Sequence, residues 1–127
     1  MSEMAIRRFI SIAEIQQAVA AAFSLTRADL LSRSREQRIA CARHIAMYLS
    51  RELARGENRG PDGTRSNPPA SYPRIGMAFD RDHTSVMHAC NSIARRYGSD
   101  LRFARMVDGI ASDVRVRVDH SRGKVAA

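Results

Sequence analysis

An all-α fold is what this sequence predicts, on three observations. Apolar residues recur every three or four positions, β-branched runs are scarce, and alanine and arginine dominate the composition. At 127 residues, a single domain over 1–127 is large enough to bury a core without disulfide staples.

The elements follow in order. Ser11 and Glu14 form a Ser-x-x-Glu capping box, and Ile12, Ile15, Val19, Ala22 and Phe23 then share one helical face. Residues 1–10 are an N-terminal extension, open between continuing this helix and forming a short one of their own. Thr26 and Asp29 cap a short turn that delivers Leu30 and Leu31 to the core. Within the following basic loop, Ser32–Arg38, Ser34 and Gln37 repeat the capping-box pattern, which starts a second long helix near Arg35. Its inward face is Ile39, Ala42, Ala46, Leu49 and Leu53, with Arg35, Arg38 and Arg43 projecting elsewhere.

Residues 55–71 change character. Gly56, Gly60, Pro61, Gly63, Pro68 and Pro69 break any helix and no large apolar side chain appears, which predicts a flexible insertion loop. A short helix over Tyr72–Phe79 follows, with Ile75, Met77 and Phe79 as apolar contacts. Asp80-Arg81-Asp82 turns the chain into a helix from His83 to about Tyr97, with Gly98 as its stop. Asp100 caps a last helix with Leu101, Ala104, Val107, Ile110 and Val114 inward. The alternation Val114-Arg115-Val116-Arg117-Val118 resembles a strand but has no partner strand, and 118–127 reads as a flexible basic tail.

Charge narrows the function classes. Lys plus Arg number 21 against 13 Asp plus Glu, a net charge of +8, and the pI is about 10.9. Every basic residue but Lys124 is arginine, the side chain suited to forked contacts with phosphates and base edges. This balance selects a polyanionic partner. Cys41 and Cys90 lie in apolar helical patterns and read as buried free thiols. No run approaches the ~18 apolar residues of a membrane span, and the N-terminus has no signal-peptide pattern, so a cytoplasmic location without membrane contact is expected.

The chemistry concentrates in Arg81–Cys90. A short helix, a turn of about three residues and a longer helix make a helix-turn-helix, whose second member enters the major groove N-terminus first. Val86, Ala89, Cys90, Ile93 and Tyr97 form one anchoring stripe, while His83, Thr84, Met87, His88 and Asn91 fall elsewhere. Asp82 caps the helix with or without a ligand, and a remaining carboxylate oxygen suits a cytosine amino group. His83 donates or accepts at a base edge, and Thr84 offers a hydroxyl and a methyl, the latter matched to thymine. The helix-start N–H groups with Ser85 Oγ suit a phosphate. A metal site from His83, His88, Cys90, Cys41 and His44 fails on ligand spacing. No phosphate-cradling Gly-rich loop, Gly-x-Ser-x-Gly elbow or paired-carboxylate site is present, so neither an enzyme nor a nucleotide or other cofactor is expected.

The run Arg81-Asp82-His83-Thr84-Ser85-Val86-Met87-His88-Ala89-Cys90 closely resembles the signature of the C-terminal DNA-binding domain of the bacterial replication initiator family DnaA. Ala28–Ser32, Ala42–Leu49 and Arg74–Phe79 extend the resemblance, which covers roughly Ser11 to Val114. It implies a Trp-repressor-like helical fold that binds short initiator boxes in double-stranded DNA. It also implies Arg35 in the minor groove, Asp82, His83, Thr84 and Ser85 in the major groove, and Arg43 beside them. The resulting DNA-binding set is Arg35, Arg38, Arg43, His44, Arg81, Asp82, His83, Thr84 and Ser85. Departures stand alongside: His44 replaces a frequent glutamine, Glu36 dilutes the basic loop, Asn91 and Ser92 replace residues that are often basic, and Ser85 replaces threonine. The 55–71 stretch is an insertion, and the family's ATPase domain lies outside these residues. The expectation is a stand-alone, nucleoid-associated DNA binder that modulates replication initiation or transcription without ATPase activity. The alternative is an interaction module for a full-length initiator or a replisome protein.

Overall fold

The computed structural model describes residues 10–55, 58–59, 61–63, 65–66 and 68–126. The chain runs α1 (Ile12–Ala22), α2 (Arg27–Leu31), α3 (Gln37–Leu53), β1 (Asn58–Arg59), β2 (Arg65–Ser66), α4 (Tyr72–Phe79), α5 (His83–Ser99) and α6 (Leu101–Ala126). The fold is all-α, with one two-residue antiparallel pairing, between β1 and β2, among the described residues.

Local chemistry sets most boundaries. Ser11 Oγ accepts from Glu14 N at 3.1 Å while Glu14 Oε1 accepts from Ser11 N at 2.9 Å, so two of the orphan donors at the start of α1 are satisfied. Ser11 is extended (φ −86°, ψ 159°); the helix therefore begins after it, and most of the N-terminal extension, residues 1–9, lies outside the described residues. Ile10 bridges to Ala54. Thr26 and Asp29 form the same reciprocal box at α2.

At α3 the expectation needs correcting. The helix starts at Gln37 behind Glu36, which makes no side-chain cap. Ser34 Oγ is taken instead by Glu36 N at 3.1 Å, a tight serine turn that competes with capping. The buried face is Ala42, Ile45, Ala46, Met47 and Leu49, with Arg43 among them; Ile39 and Leu53 are half-buried.

The insertion is closed at its neck. Ala70 N donates to Ala54 O at 3.2 Å, Ala54 and Ala70 are both buried, and Arg55 bridges to Pro69. Arg51 Nη1 donates to Ala70 O at 2.7 Å, and its guanidinium lies 4.6 Å from the Tyr72 ring centre. The β1–β2 pairing is a second feature that composition did not predict. Residues 56, 57, 60, 64 and 67 of this stretch lie outside the described ones.

In α4, Ser71 caps through Arg74 N and Pro73 sits in the first turn. Ile75 and Phe79 are fully buried, whereas Met77 is 84% exposed. Spacing explains this correction: i and i+4 share a helical face, and i+2 points away. In α5 the expected stripe holds for Val86, Ala89, Cys90 and Ile93, all buried; Tyr97 is half-buried and donates to Asp108 Oδ1 at 2.7 Å. Burial pushes the Cys90 thiol up to about 11.

Gly98 is not the stop. The helix continues to Ser99, and Asp100 closes it while its Oδ1 accepts from Phe103 N at 3.1 Å, capping α6. Arg96 lies over the Phe103 ring at 4.1 Å. Leu101 is 66% exposed, and Phe103 takes the core place expected of it. The last helix does not end at Arg117 but runs to Ala126. Val114 and Val118 are buried one turn apart while Val116 is exposed, so the apparent strand alternation is a helical face.

One core joins these parts. α3 packs across α5, α1 lies against both α3 and α6, and α4 rests on α5. Gln16, fully buried, fastens three elements at once: Nε2 donates to Ala78 O at 3.1 Å, and Oε1 accepts from Arg27 Nε at 2.7 Å. The result holds the α4–α5 corner beside the Ser32–Glu36 loop.

Candidate nucleic-acid interface

The α4–α5 corner is built by backbone geometry. Asp80 ends α4 in the left-handed region (φ 55°, ψ 50°), a conformation that Asn and Asp tolerate better than most residues. Arg81 N then donates back to Gly76 O at 2.8 Å, a Schellman-type closure. Gly76 is indispensable to it, since a Cβ there would collide with the Arg81 carbonyl oxygen.

Asp82 reverses the chain into α5, its Oδ2 accepting from Thr84 N at 3.0 Å. Hydrogen bonds from the Thr84 backbone and side chain hold its carboxyl below the usual carboxylate range. Oδ1 lies 3.7 Å from His83 Nδ1. His83, Thr84 and Ser85 are all exposed on the first turn, above a buried Val86. These side chains are thus presented outward by a helix whose opposite face is anchored.

The Ser32–Glu36 loop lies alongside. Ser32 Oγ donates to Asp29 O at 2.7 Å and accepts from Ser34 N at 3.3 Å, so two successive serine turns shape it. Arg33 and Arg35 are exposed, as is Arg38 in the first turn of α3. Arg33 Nη2 meets Asp80 Oδ2 at 3.0 Å, linking loop and corner across an exposed ion pair. An open groove is lined by Arg33, Met77, Arg81, Asp82, His83 and Ser85, among others. A second groove on the other flank holds Arg35 and His44 against Ser92 and Arg96 of α5. Arg38 lines neither.

Two arginines of the expected set are placed differently. Arg43 was expected to project away from the core and touch DNA, yet it is 6% exposed. Its Nε donates to Leu30 O at 2.7 Å, and its Nη2 donates to Ser32 O at 2.9 Å and Ser34 O at 3.1 Å. The α2–α3 connection leaves those carbonyls unpaired beneath the loop, and a guanidinium fork satisfies them. Burial, then the charges of Arg81 and Arg33, lower its pKa. Arg81 is half-buried and likewise turned to carbonyls.

His44 is half-buried behind these cations. Burial first, then Arg43 and Arg81, hold its imidazole below the ordinary value. The stability it contributes is therefore complete above the unfolded value of about 6.5 and is lost as pH falls through the folded one. Thermal denaturation followed across that window is expected to show a shallower acid decline for His44→Gln than for the parent protein.

Arg33 and Met77 line the groove beside Asp82 and His83 and are not among the candidate site residues read from the sequence. Arg33 had a signal in its membership of the basic loop. Met77 had one in the i, i+4 pairing of Ile75 with Phe79, which leaves i+2 outside.

A short helix, a tight corner, a capped and exposed second helix and a basic flanking loop define a helix-turn-helix protein. Residues 12–59 match the family described as bacterial dnaA protein helix-turn-helix; that match runs from α1 to β1 and stops before α4 and α5. Similar relatives include chromosomal replication initiator protein DnaA of Symbiobacterium thermophilum, 37% identical over 107 residues, 84% of this chain and 20% of that protein. The protein of the same name from Lactobacillus delbrueckii subsp. bulgaricus is 38% identical over 104 residues, 81% of this chain and 20% of its own length. That of Latilactobacillus sakei is 41% identical over 92 residues, 72% of the chain and 17% of the relative. The chain is similar to the C-terminal helix-turn-helix domain of DnaA proteins. It spans about a fifth of the length of the first two relatives.

Proposed function

We propose that this chain binds double-stranded DNA sequence-specifically, at sites like the initiator boxes of its family, and thereby modulates replication initiation or transcription. The observation that carries this reading is the first turn of α5. Asp82, His83, Thr84 and Ser85 stand exposed at the N-terminus of a helix whose far face is locked in the core. His83 and Thr84 suit base edges in the major groove, and Ser85 with the helix-start amides suits a phosphate. Arg35 is assigned to the minor groove, and Arg33 and Arg38 to backbone phosphates. Arg43, His44 and Arg81 support this surface from behind.

Fluorescence anisotropy on a duplex recovered from a random pool, against its shuffled version, tests the reading. Tighter binding to the recovered duplex is expected, and equal affinity at every salt concentration overturns it. Thr84→Ala is expected to cost about 1–3 kcal/mol on the recovered duplex and much less on the shuffled one.

Asp80 opposes the interface. Its carboxylate neutralises Arg33 and adds negative charge beside the phosphates. Asp80→Asn keeps a side chain suited to the left-handed corner and removes only the charge. Binding is expected to tighten by up to ~10-fold, with a log–log salt slope steeper by about one. Thermal stability should hold within about 0.5 kcal/mol, since the ion pair is solvent-exposed. Unchanged affinity and slope would place Arg33 off the DNA.

A further inference from the structure

We propose that Arg81 is a positioning residue, a guanidinium lock that holds the arginine loop and the helix-turn-helix together as one rigid surface. The DNA part of this proposal rests on the duplex-binding reading above; the lock itself does not.

The loop needs such a device. From Ser32 to Glu36 no apolar side chain anchors it, and the flanking Leu31 and Ile39 are only half-buried. Gln16 and Arg43 fasten the flanking α2 and α3, but no apolar side chain of the loop itself packs against α4 and α5, although minor-groove and major-groove side chains must keep a set separation to engage one duplex.

Arg81 supplies the missing constraint from 49 residues away in sequence. Its Nη2 donates to Ser32 O at 2.6 Å. Its Nη1 donates to Phe79 O at 3.0 Å and Asp80 O at 3.3 Å, carbonyls that the left-handed end of α4 leaves available. One planar group thus spans the first residue of the loop and the last turn of α4. Ser32 O also accepts from Arg43 Nη2 at 2.9 Å, so guanidinium groups from two elements converge on one carbonyl and fill both of its lone pairs. Geometry argues against a phosphate role as the main one. The side chain is half-buried, and both terminal nitrogens are directed at backbone oxygens. Arg33 and Asp80 repeat the loop-to-corner link at the surface, where solvent makes it weak. The half-buried link is the one that sets the spacing.

The experiment uses the full 127-residue chain and the variants Arg81→Lys, Arg81→Met, Arg35→Ala and Arg81→Met with Arg35→Ala. Amide hydrogen exchange in the DNA-free protein is the first readout. Both Arg81 variants are expected to speed exchange over 32–36 by about tenfold or more while α1 and α6 stay protected. Lysine should fail to rescue because it keeps the charge and loses the fork. Anisotropy on the recovered duplex is the second readout. Arg81→Met is expected to weaken binding about tenfold in the parent and less than about twofold when Arg35 is already alanine, because the lock acts through the loop.

Unchanged loop exchange, equal losses in both backgrounds, or parental binding by Arg81→Lys would overturn the lock. So would loss of protection throughout α1 and α6, which would mark a role in the whole fold. If the parent protein does not prefer the recovered duplex over its shuffled form, the duplex-binding reading fails, and the exchange arm still decides the lock.

Discussion

Gly76→Ala is expected to destabilise the protein by about 3 kcal/mol and to abolish preference for the cognate duplex. The added Cβ collides with a backbone oxygen, that of Arg81, rather than with the movable end of a side chain. Relief requires α4 and the corner to move apart. That motion breaks the Arg81 N to Gly76 O bond of 2.8 Å and tilts α5 relative to its anchors. Overpacking of this kind costs typically about 1–3 kcal/mol, and the lost closure adds about 1 kcal/mol. Thermal midpoint should fall by about 10 °C. Gly98 and Gly109 provide the control, since a Cβ at either meets nothing within 4 Å. Alanine at these helical positions should stabilise by roughly 0.5–1 kcal/mol. A Gly76→Ala protein with parental midpoint and specificity would show that the close approach is dispensable.

Arg43→Met is expected to cost about 3 kcal/mol of stability and to weaken duplex binding at least tenfold, while leaving the salt slope within about half a unit of the parent. Methionine preserves much of the packed stem. The carbonyls of Leu30 and Ser34 lose their side-chain donor, while Ser32 O keeps that of Arg81, and a buried acceptor left without one costs about 1–3 kcal/mol. The salt slope is the deciding measurement. A residue that neutralises a phosphate contributes nearly one unit to it, whereas a strut beneath the loop contributes to affinity through geometry. A slope flatter by a full unit would return Arg43 to the DNA-contacting set. Denaturation and anisotropy below the variant's midpoint together separate lost folding from lost binding.

Much of this architecture is legible along the chain because its causes are local. Capping boxes at Ser11 and Thr26 and the N-cap at Asp82 depend on residues two or three apart, and all three stand where pattern reading puts them. The stripe from Val86 to Ile93 follows from 3.6-residue periodicity alone. The fold departs from local pattern where two local signals compete or where helical spacing turns a side chain outward. Ser34 chose a serine turn over a helix cap. Gly98 remained helical because Asp100, two residues on, closes α5 and opens α6. Met77 lies on the face opposite Ile75 and Phe79.

By itself the sequence determined the helices, the exposed first turn of α5 and a surplus of arginine suited to a polyanion, since composition, periodicity and capping act within a few residues. Tertiary structure alone decided what each arginine does. Arg33, Arg35 and Arg38 remain in solvent, whereas Arg43 and Arg81 turn inward to carbonyls 9 to 13 and 49 residues away in the chain. An arginine's role depends on which acceptors surround it, and only the folded chain brings those acceptors within hydrogen-bond reach.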